Sequence, residues 1–296
     1  MVIALHVAPN VASDPFARLP IELRHAIATA LPDASSALTL LLLSRSWYNA
    51  LIDAPAVWAH ISWTDARPTV QHVHRLGRVL RLSKSALLHL RVANGFCPHH
   101  AMTSHSTGLM MLRPHLQRVR SLELEVQGHV SLQSILGYLD AIPVPNLETL
   151  VVRSAEKGNQ LPPAYYPWLT LNSTPLRTLV VHGKNTLRFL AAYMPNGIDT
   201  LDVQLVTAEE VQLLLMVIWK NASTLKTIHV GFEPLATDSS SVNSDPVGET
   251  VNFPGSNHPM VSYTEPCYLP ELRELHVKGP QSGCFTRFLR APRLYC

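Results

Sequence analysis

One six-residue pattern recurs along this chain and limits the folds open to it: a leucine-type residue, two others, a second leucine-type residue, one other, then valine or leucine. It reads Leu147-Glu148-Thr149-Leu150-Val151-Val152, Leu176-Arg177-Thr178-Leu179-Val180-Val181 and Ile198-Asp199-Thr200-Leu201-Asp202-Val203. It returns as Leu225-Lys226-Thr227-Ile228-His229-Val230 and Leu272-Arg273-Glu274-Leu275-His276-Val277. Looser copies are Val119-Arg120-Ser121-Leu122-Glu123-Leu124 and Leu87-Leu88-His89-Leu90-Arg91-Val92. From Leu122 onward the second leucine-type position recurs at intervals of 28, 29, 22, 27 and 47 residues. The core of each copy alternates with period two, which predicts a short strand with one buried face. Between copies, 132–142, 186–194 and 207–221 read as helices, the last opened by Thr207 with Glu210 three residues on. Strand plus helix at near-constant spacing predicts a curved stack of units, because one or two units cannot close a core. A doubly wound sheet is the competing reading; the regular spacing favours the stack.

Such a stack needs apolar residues, and 47% of the 296 residues are hydrophobic against 15% charged. That is the balance of a folded chain with a large core. No apolar run reaches the ~18 residues of a membrane span, so no membrane partner is expected. Residues 1–11 lack a basic n-region, so no secretory signal is expected and the compartment reads as cytoplasm or nucleus. Cys97, Cys267, Cys284 and Cys296 show no paired spacing, as expected of reduced thiols.

The amino-terminal stretch has a different logic. Leu19, Leu23, Ile27 and Leu31 recur every four residues on one helical stripe. Pro20 suits the start of that helix and Pro32 its end. Asp33 and Ser35 offer a new helix start, and the run from Ala37 to Leu43 is apolar at nearly every position. A helix apolar all round must be covered on more than one side. About 45 residues seldom build a sufficient core alone. This segment therefore needs a partner surface, either the rest of the chain or another protein.

The ordered set Leu19-Pro20-x-Glu22-Leu23, Ile27, Leu31-Pro32, Ser44-Arg45-x-Trp47, Leu51, Pro55 and Trp58 resembles an F-box, the small helical module that docks on the Skp adaptor of cullin–RING ubiquitin ligases. The resemblance covers about residues 14–63. The chain runs about two residues longer than the usual pattern between Leu31 and Trp47, which leaves open which of Leu38, Leu40 and Leu42 faces the adaptor. From 86 to 296 the repeats resemble leucine-rich repeats, without the usual Asn or Cys after the strand. Together the two resemblances imply an α+β or α/β solenoid: a three-helix F-box at 14–63, a basic helical linker at 64–85, then irregular repeats with a disordered insertion at about 234–268. They imply a substrate receptor of a Skp–cullin–F-box ligase. It would dock through Leu19, Pro20, Ile27, Leu31, Leu38, Trp47, Leu51 and Trp58, and hold an unidentified protein substrate on the repeats. The implied partners are a Skp-family adaptor and, through it, cullin. A second reading keeps the repeats as a stand-alone scaffold whose first helices only cap the stack.

Catalytic and cofactor motifs are absent from the sequence: no P-loop, no G-x-G-x-x-G, no H-E-x-x-H, no G-x-S-x-G and no C-x-x-C. No enzyme activity, cofactor or metal is expected. The one ligand-rich stretch, Cys97-Pro98-His99-His100 with His105, lacks the second ligand couple of a structural zinc site. An enzyme reading would rest on that stretch alone. Residues 66–122 carry no acidic residue and nine basic ones, whereas 227–272 carry no lysine or arginine. Net charge is only +3, so the basic block reads as a solvated face and not as a nucleic-acid surface. Residues 291–296 resemble the lead-in to a further repeat, which predicts a truncated or weakly ordered last unit.

Overall fold

Each copy of the hexapeptide becomes a strand. A computed structural model describes residues 18–31, 33–63, 69–93, 111–126, 144–154, 175–184, 186–187, 196–207, 210–233, 266–279, 282–287 and 289–290. The strands are β1 (His60–Trp63), β2 (Leu88–Ala93), β3 (Val119–Val126), β4 (Thr149–Ser154), β5 (Thr178–His182), β6 (Thr200–Val206) and β7 (Thr227–Phe232), then β8 (Cys267–Tyr268), β9 (Glu274–Lys278) and β10 (Leu289–Arg290). β1 to β7 and then β9 form one eight-stranded sheet in sequence order, with every pair parallel. β8 and β10 form a separate two-stranded pair.

The register follows the sequence repeat. Leu90, Leu122, Leu150, Leu179, Leu201, Ile228 and Leu275 are successive cross-strand partners, and so are Val92, Leu124, Val152, Val181, Val203, Val230 and Val277. These two apolar ladders are buried from β2 to β7 and half-buried at β9. A one-residue slip would turn both ladders to solvent, so burial fixes the pairing.

This architecture corrects the expected α+β, α/β solenoid. It is an α/β fold on one open, parallel, eight-stranded sheet. The physical reason lies in the connections. A solenoid repeats its return segment as faithfully as its strand. Here β1 and β2 are joined through the 13-residue helix Val70–Leu82. A 3₁₀ turn at Arg113–Arg118 leads into β3, and a 10-residue helix at Val211–Lys220 lies between β6 and β7. The hexapeptide encodes the strand and says nothing of the return. The strand order also never reverses, so the sheet lacks the switch-point crevice where doubly wound folds bind ligands.

The helices bounded among the described residues are α1 (Ile21–Thr29), α2 (Ala34–Leu40), α3 (Arg45–Leu51), α4 (Val70–Leu82), α5 (Val211–Lys220) and α6 (Ser282–Thr286). Thr69 caps α4 by accepting from the His72 N–H, and the His72 ring accepts from the Thr69 N–H in return. Beyond the far end of α4, the Arg118 guanidinium donates to the carbonyls of Ser83, Lys84 and Ala86. α5 buries Leu214, Leu215, Val217 and Ile218. Glu210 precedes it, is buried, and accepts from the N–H groups of Thr207 and Leu187. Half of the expected capping box is thus present; the Thr207 hydroxyl donates to the same carboxylate. After α5, the buried Asn221 accepts from the Ile198 N–H at 3.1 Å and donates to the Val217 carbonyl at 2.9 Å. A turn with no asparagine on its strand side is satisfied from the helix side instead.

One apolar core runs from α1 to α6. α2 packs on β1 and α4, so the core crosses the boundary expected at 63/64. β1 lies inside the F-box-like residues, and the expected linker contains α4. The insertion lies outside the described residues from 234 to 265, while Cys267 and Tyr268 form β8. Residues 291–296 also lie outside the described residues. No helix among the described residues is long and apolar enough to cross a membrane.

Candidate functional site

Two surfaces can make contacts beyond the chain, and the first is the helical module. α1 starts after Pro20, whose carbonyl accepts from the Arg24 N–H. It ends at Thr29, three residues before Pro32. α2 is capped by Asp33, which accepts from the Ser36 N–H at 2.7 Å. The apolar run does not stay helical to Leu43. α2 stops at Leu40, a turn follows, and Ser44 opens α3 by accepting from the Trp47 N–H. α1 and α3 are joined by polar contacts, Arg24 to the Ser46 carbonyl at 3.1 Å and the His25 ring to the Ala50 carbonyl at 2.8 Å.

The sequence-predicted docking residues divide into three groups. Trp47, Leu51 and Trp58 are at most 2% exposed and belong to the chain's own core. Trp58 also donates its indole N–H to the Leu51 carbonyl at 2.8 Å. Leu19, Leu31 and Leu38 are half-buried against that core. Pro20 and Ile27 are exposed. Ile21, Leu23, Leu42, Leu43 and Tyr48 are exposed as well, with Leu42 at 83%. Of these five, Leu23 was on the expected helical stripe and Leu42 was one of three open candidates, whereas Ile21, Leu43 and Tyr48 were not singled out as docking residues. Of the three leucines left open by the sequence, Leu42 is the one turned to solvent, while Leu38 and Leu40 pack against the core.

The second surface is the outward face of the sheet, and it is polar. Thr149, Thr178, Thr200 and Thr227 are successive partners along it. Arg91 pairs with Glu125 at 3.1 Å and with Glu123 at 3.6 Å. Arg153 also pairs with Glu123, and Arg120 with Glu148 at 2.9 Å. His60 and His89 stack 4.5 Å apart. Burial, then the neighbouring His60 and Arg120, hold the His89 pKa below its ordinary value. Four of the nine basic residues of the block are therefore engaged: Arg91 with acids of β3, Arg120 with Glu148 just before β4, Arg118 with the carbonyls after α4, and Lys84 with Asp53 at 2.8 Å.

Toward β9 this face changes character. The His182 ring lies 3.5 Å from Asp202. His229 and His276 are direct cross-strand partners. Both aim Nε2 at one Glu274 oxygen, at 3.6 Å and 2.8 Å. The hydrogen bond from His276 holds the Glu274 pKa below its ordinary value. The signal for this cluster was visible in the repeat. Ile228-His229-Val230 and Leu275-His276-Val277 put histidine at the same strand position of two successive copies, and in-register pairing makes such residues neighbours. The stretch Cys97, His99, His100 and His105 lies outside the described residues.

Comparison with protein-family models, with curated proteins and with solved structures found no match to this chain.

Proposed function

We propose that this chain is the substrate-recognition subunit of a Skp–cullin–F-box ubiquitin ligase. In this reading α1–α3 dock on a Skp-family adaptor and the outward face of the sheet holds a protein substrate. Ubiquitin transfer would belong to the partner enzymes, so the chain itself does no chemistry. One observation carries the reading. Of the eleven exposed large hydrophobic residues among those described, six fall between Ile21 and Tyr48. They sit on the segment whose ordered Leu-Pro, Ser-Arg-x-Trp and Pro-x-x-Trp elements resemble an F-box. Exposed apolar side chains concentrated in one module mark an interaction surface. Trp47, Leu51 and Trp58 support that surface from within, and Leu23, Ile27, Leu42 and Leu43 are its proposed contacts.

The test is a pull-down of a purified Skp-family adaptor by the full chain. Leu23→Asp with Ile27→Asp should abolish retention and leave the thermal unfolding midpoint nearly unchanged, because both side chains are exposed. An anchor lost at such an interface typically costs more than about 2 kcal/mol, over tenfold in affinity. Failure of the unaltered chain to retain the adaptor, or full retention by the double variant, overturns the reading. A second reading draws on the packing of α2 over β1 and α4. There the helices only cover the first strand, and the chain is a protein-binding scaffold outside any ligase. Loss of the adaptor result would leave that reading standing.

A further inference from the structure

We propose that His229, Glu274 and His276 form a binding site for a divalent first-row transition ion, zinc in the first instance. The proposal is independent of the ligase reading. Parallel pairing sets the geometry. His229 on β7 and His276 on β9 are register partners, and Glu274 lies two residues before His276 on the same face of β9. One ligand atom from each residue comes within 4.8 Å of the other two. A tetrahedral zinc site with bonds of about 2.0–2.1 Å needs ligand atoms about 3.4 Å apart. The two observed Nε2–carboxylate separations, 2.8 Å and 3.6 Å, bracket that value. The third separation is bounded only by 4.8 Å, so the exposed His276 ring has to turn for all three groups to close on one ion.

A second observation points to a cation between these groups. The Nε2 of His229 is buried and makes no hydrogen bond among the described residues. It faces the Glu274 oxygen from 3.6 Å, too far for a hydrogen bond. A buried ring nitrogen whose nearest acceptor stands at 3.6 Å is only weakly satisfied. A cation seated between the three groups would accept its lone pair, neutralise the carboxylate and replace the contact between His276 and Glu274.

The chemistry of the set selects the ion. Two imidazoles and one carboxylate suit zinc or another borderline divalent ion. Magnesium and calcium take oxygen ligands and fit poorly. Three protein ligands with half-exposed side chains leave a coordination position open to water. Both imidazoles must offer a free Nε2 lone pair to bind. Any proton there must leave or shift to Nδ1, so affinity should fall as pH drops. The ion would also tie β7 to β9, the last strand of the sheet.

The experiment uses the full chain stripped of metal with a chelator. Zinc is titrated by calorimetry, and cobalt serves as the optical probe of the site. The expected result is a site at micromolar or tighter affinity with a cobalt visible band, together with a zinc-dependent rise in the unfolding midpoint. His276→Ala and Glu274→Gln alter exposed groups and should leave the fold intact. Each should weaken zinc at least about tenfold and remove the rise in midpoint. A Cys97→Ser, His99→Ala, His100→Ala variant should bind as the unaltered chain does. No zinc binding at micromolar concentrations overturns the proposal. Binding that survives both His276→Ala and Glu274→Gln, or that disappears in the Cys97/His99/His100 variant, overturns it as well, since the ion then sits elsewhere.

Discussion

On α1–α3 the exposed side chains that stand out are apolar; on the outward face of the sheet they are charged or hydroxylated, and many are already paired with one another. Leu42 and Leu43 keep most of their surface in water, whereas Arg153 and Arg91 share Glu123 across three strands. A cross-strand ion pair is nearly sufficient to itself. An exposed leucine gains only when a second molecule arrives. The helical module therefore leaves apolar surface in water, and the sheet face a polar, largely self-paired one. Among the described residues the sheet is less well satisfied at Ser154, His182 and His229, whose buried polar atoms make no hydrogen bond.

The largest expected effect tests what holds the apolar face in place. Trp58 is fully buried and donates to the Leu51 carbonyl at the end of α3. Trp58→Ala removes that bond and opens a large cavity, at a cost of about 3–5 kcal/mol in urea unfolding. A loss below about 1 kcal/mol would show that α1–α3 hold their shape without it. The comparison would then fail, because the module's uncovered side would not depend on a buried interior.

Much of this contrast could be read from the residues alone, for a clear reason. Period two is printed directly in the Leu-x-Val copies, so strands, buried ladders and register were all legible. Pro20 and Asp33 likewise marked helix starts by their own chemistry, whereas the start at Ser44 was not foreseen. The architecture was not legible. The described returns differ from one another, α4 in one, a 3₁₀ turn in another and α5 in a third, and the hexapeptide does not say which. The site was legible in part. The stripe Leu19, Leu23, Ile27 and Leu31 was visible, but periodicity does not say which side of a helix its neighbours cover. Arg24, His25 and Ala28 turned out to face the protein, leaving Leu23 and Ile27 outside. The reach of Trp47, Leu51 and Trp58 into the core was equally hidden, because an anchor and a core tryptophan look alike in sequence.

A middle-sized effect separates buried polar bonds from surface ones. Asn221 is fully buried and satisfies the Ile198 N–H and the Val217 carbonyl. Asn221→Ala strips the Ile198 N–H of its acceptor, while the Val217 carbonyl keeps the backbone N–H of residue 221, and should cost about 1–3 kcal/mol. Glu123→Gln strikes a surface pair with Arg91 and Arg153 and should cost less than about 1 kcal/mol. Urea unfolding of both variants orders them. A larger loss for Glu123→Gln would mean that the ion ladder, and not the turn, organises the sheet.

The smallest effect is a pH dependence, and it sharpens the comparison at the first strands of the sheet. His89 lies beside His60, Arg120 and Glu148. Its folded pKa is depressed, first by burial, then by the like charges of His60 and Arg120, with Glu148 opposing. His115 is depressed by burial and by Arg118. Both side chains therefore favour the neutral form when folded. Unfolded, each titrates near its ordinary value of 6.5. As pH falls through that value the unfolded state takes up protons that the folded state refuses, so stability falls. The contribution is complete above pH 6.5 and is lost as pH drops toward the folded pKa. Urea midpoints taken on either side of that value should therefore decline on the acid side. His89→Gln with His115→Gln should flatten the decline. An unchanged slope in the double variant would place the decline in other groups, and a midpoint that rises with acid would show that His89 is protonated in the fold. The polar face would then hold unpaired positive charge, and its difference from the helical module would no longer be one of self-sufficiency.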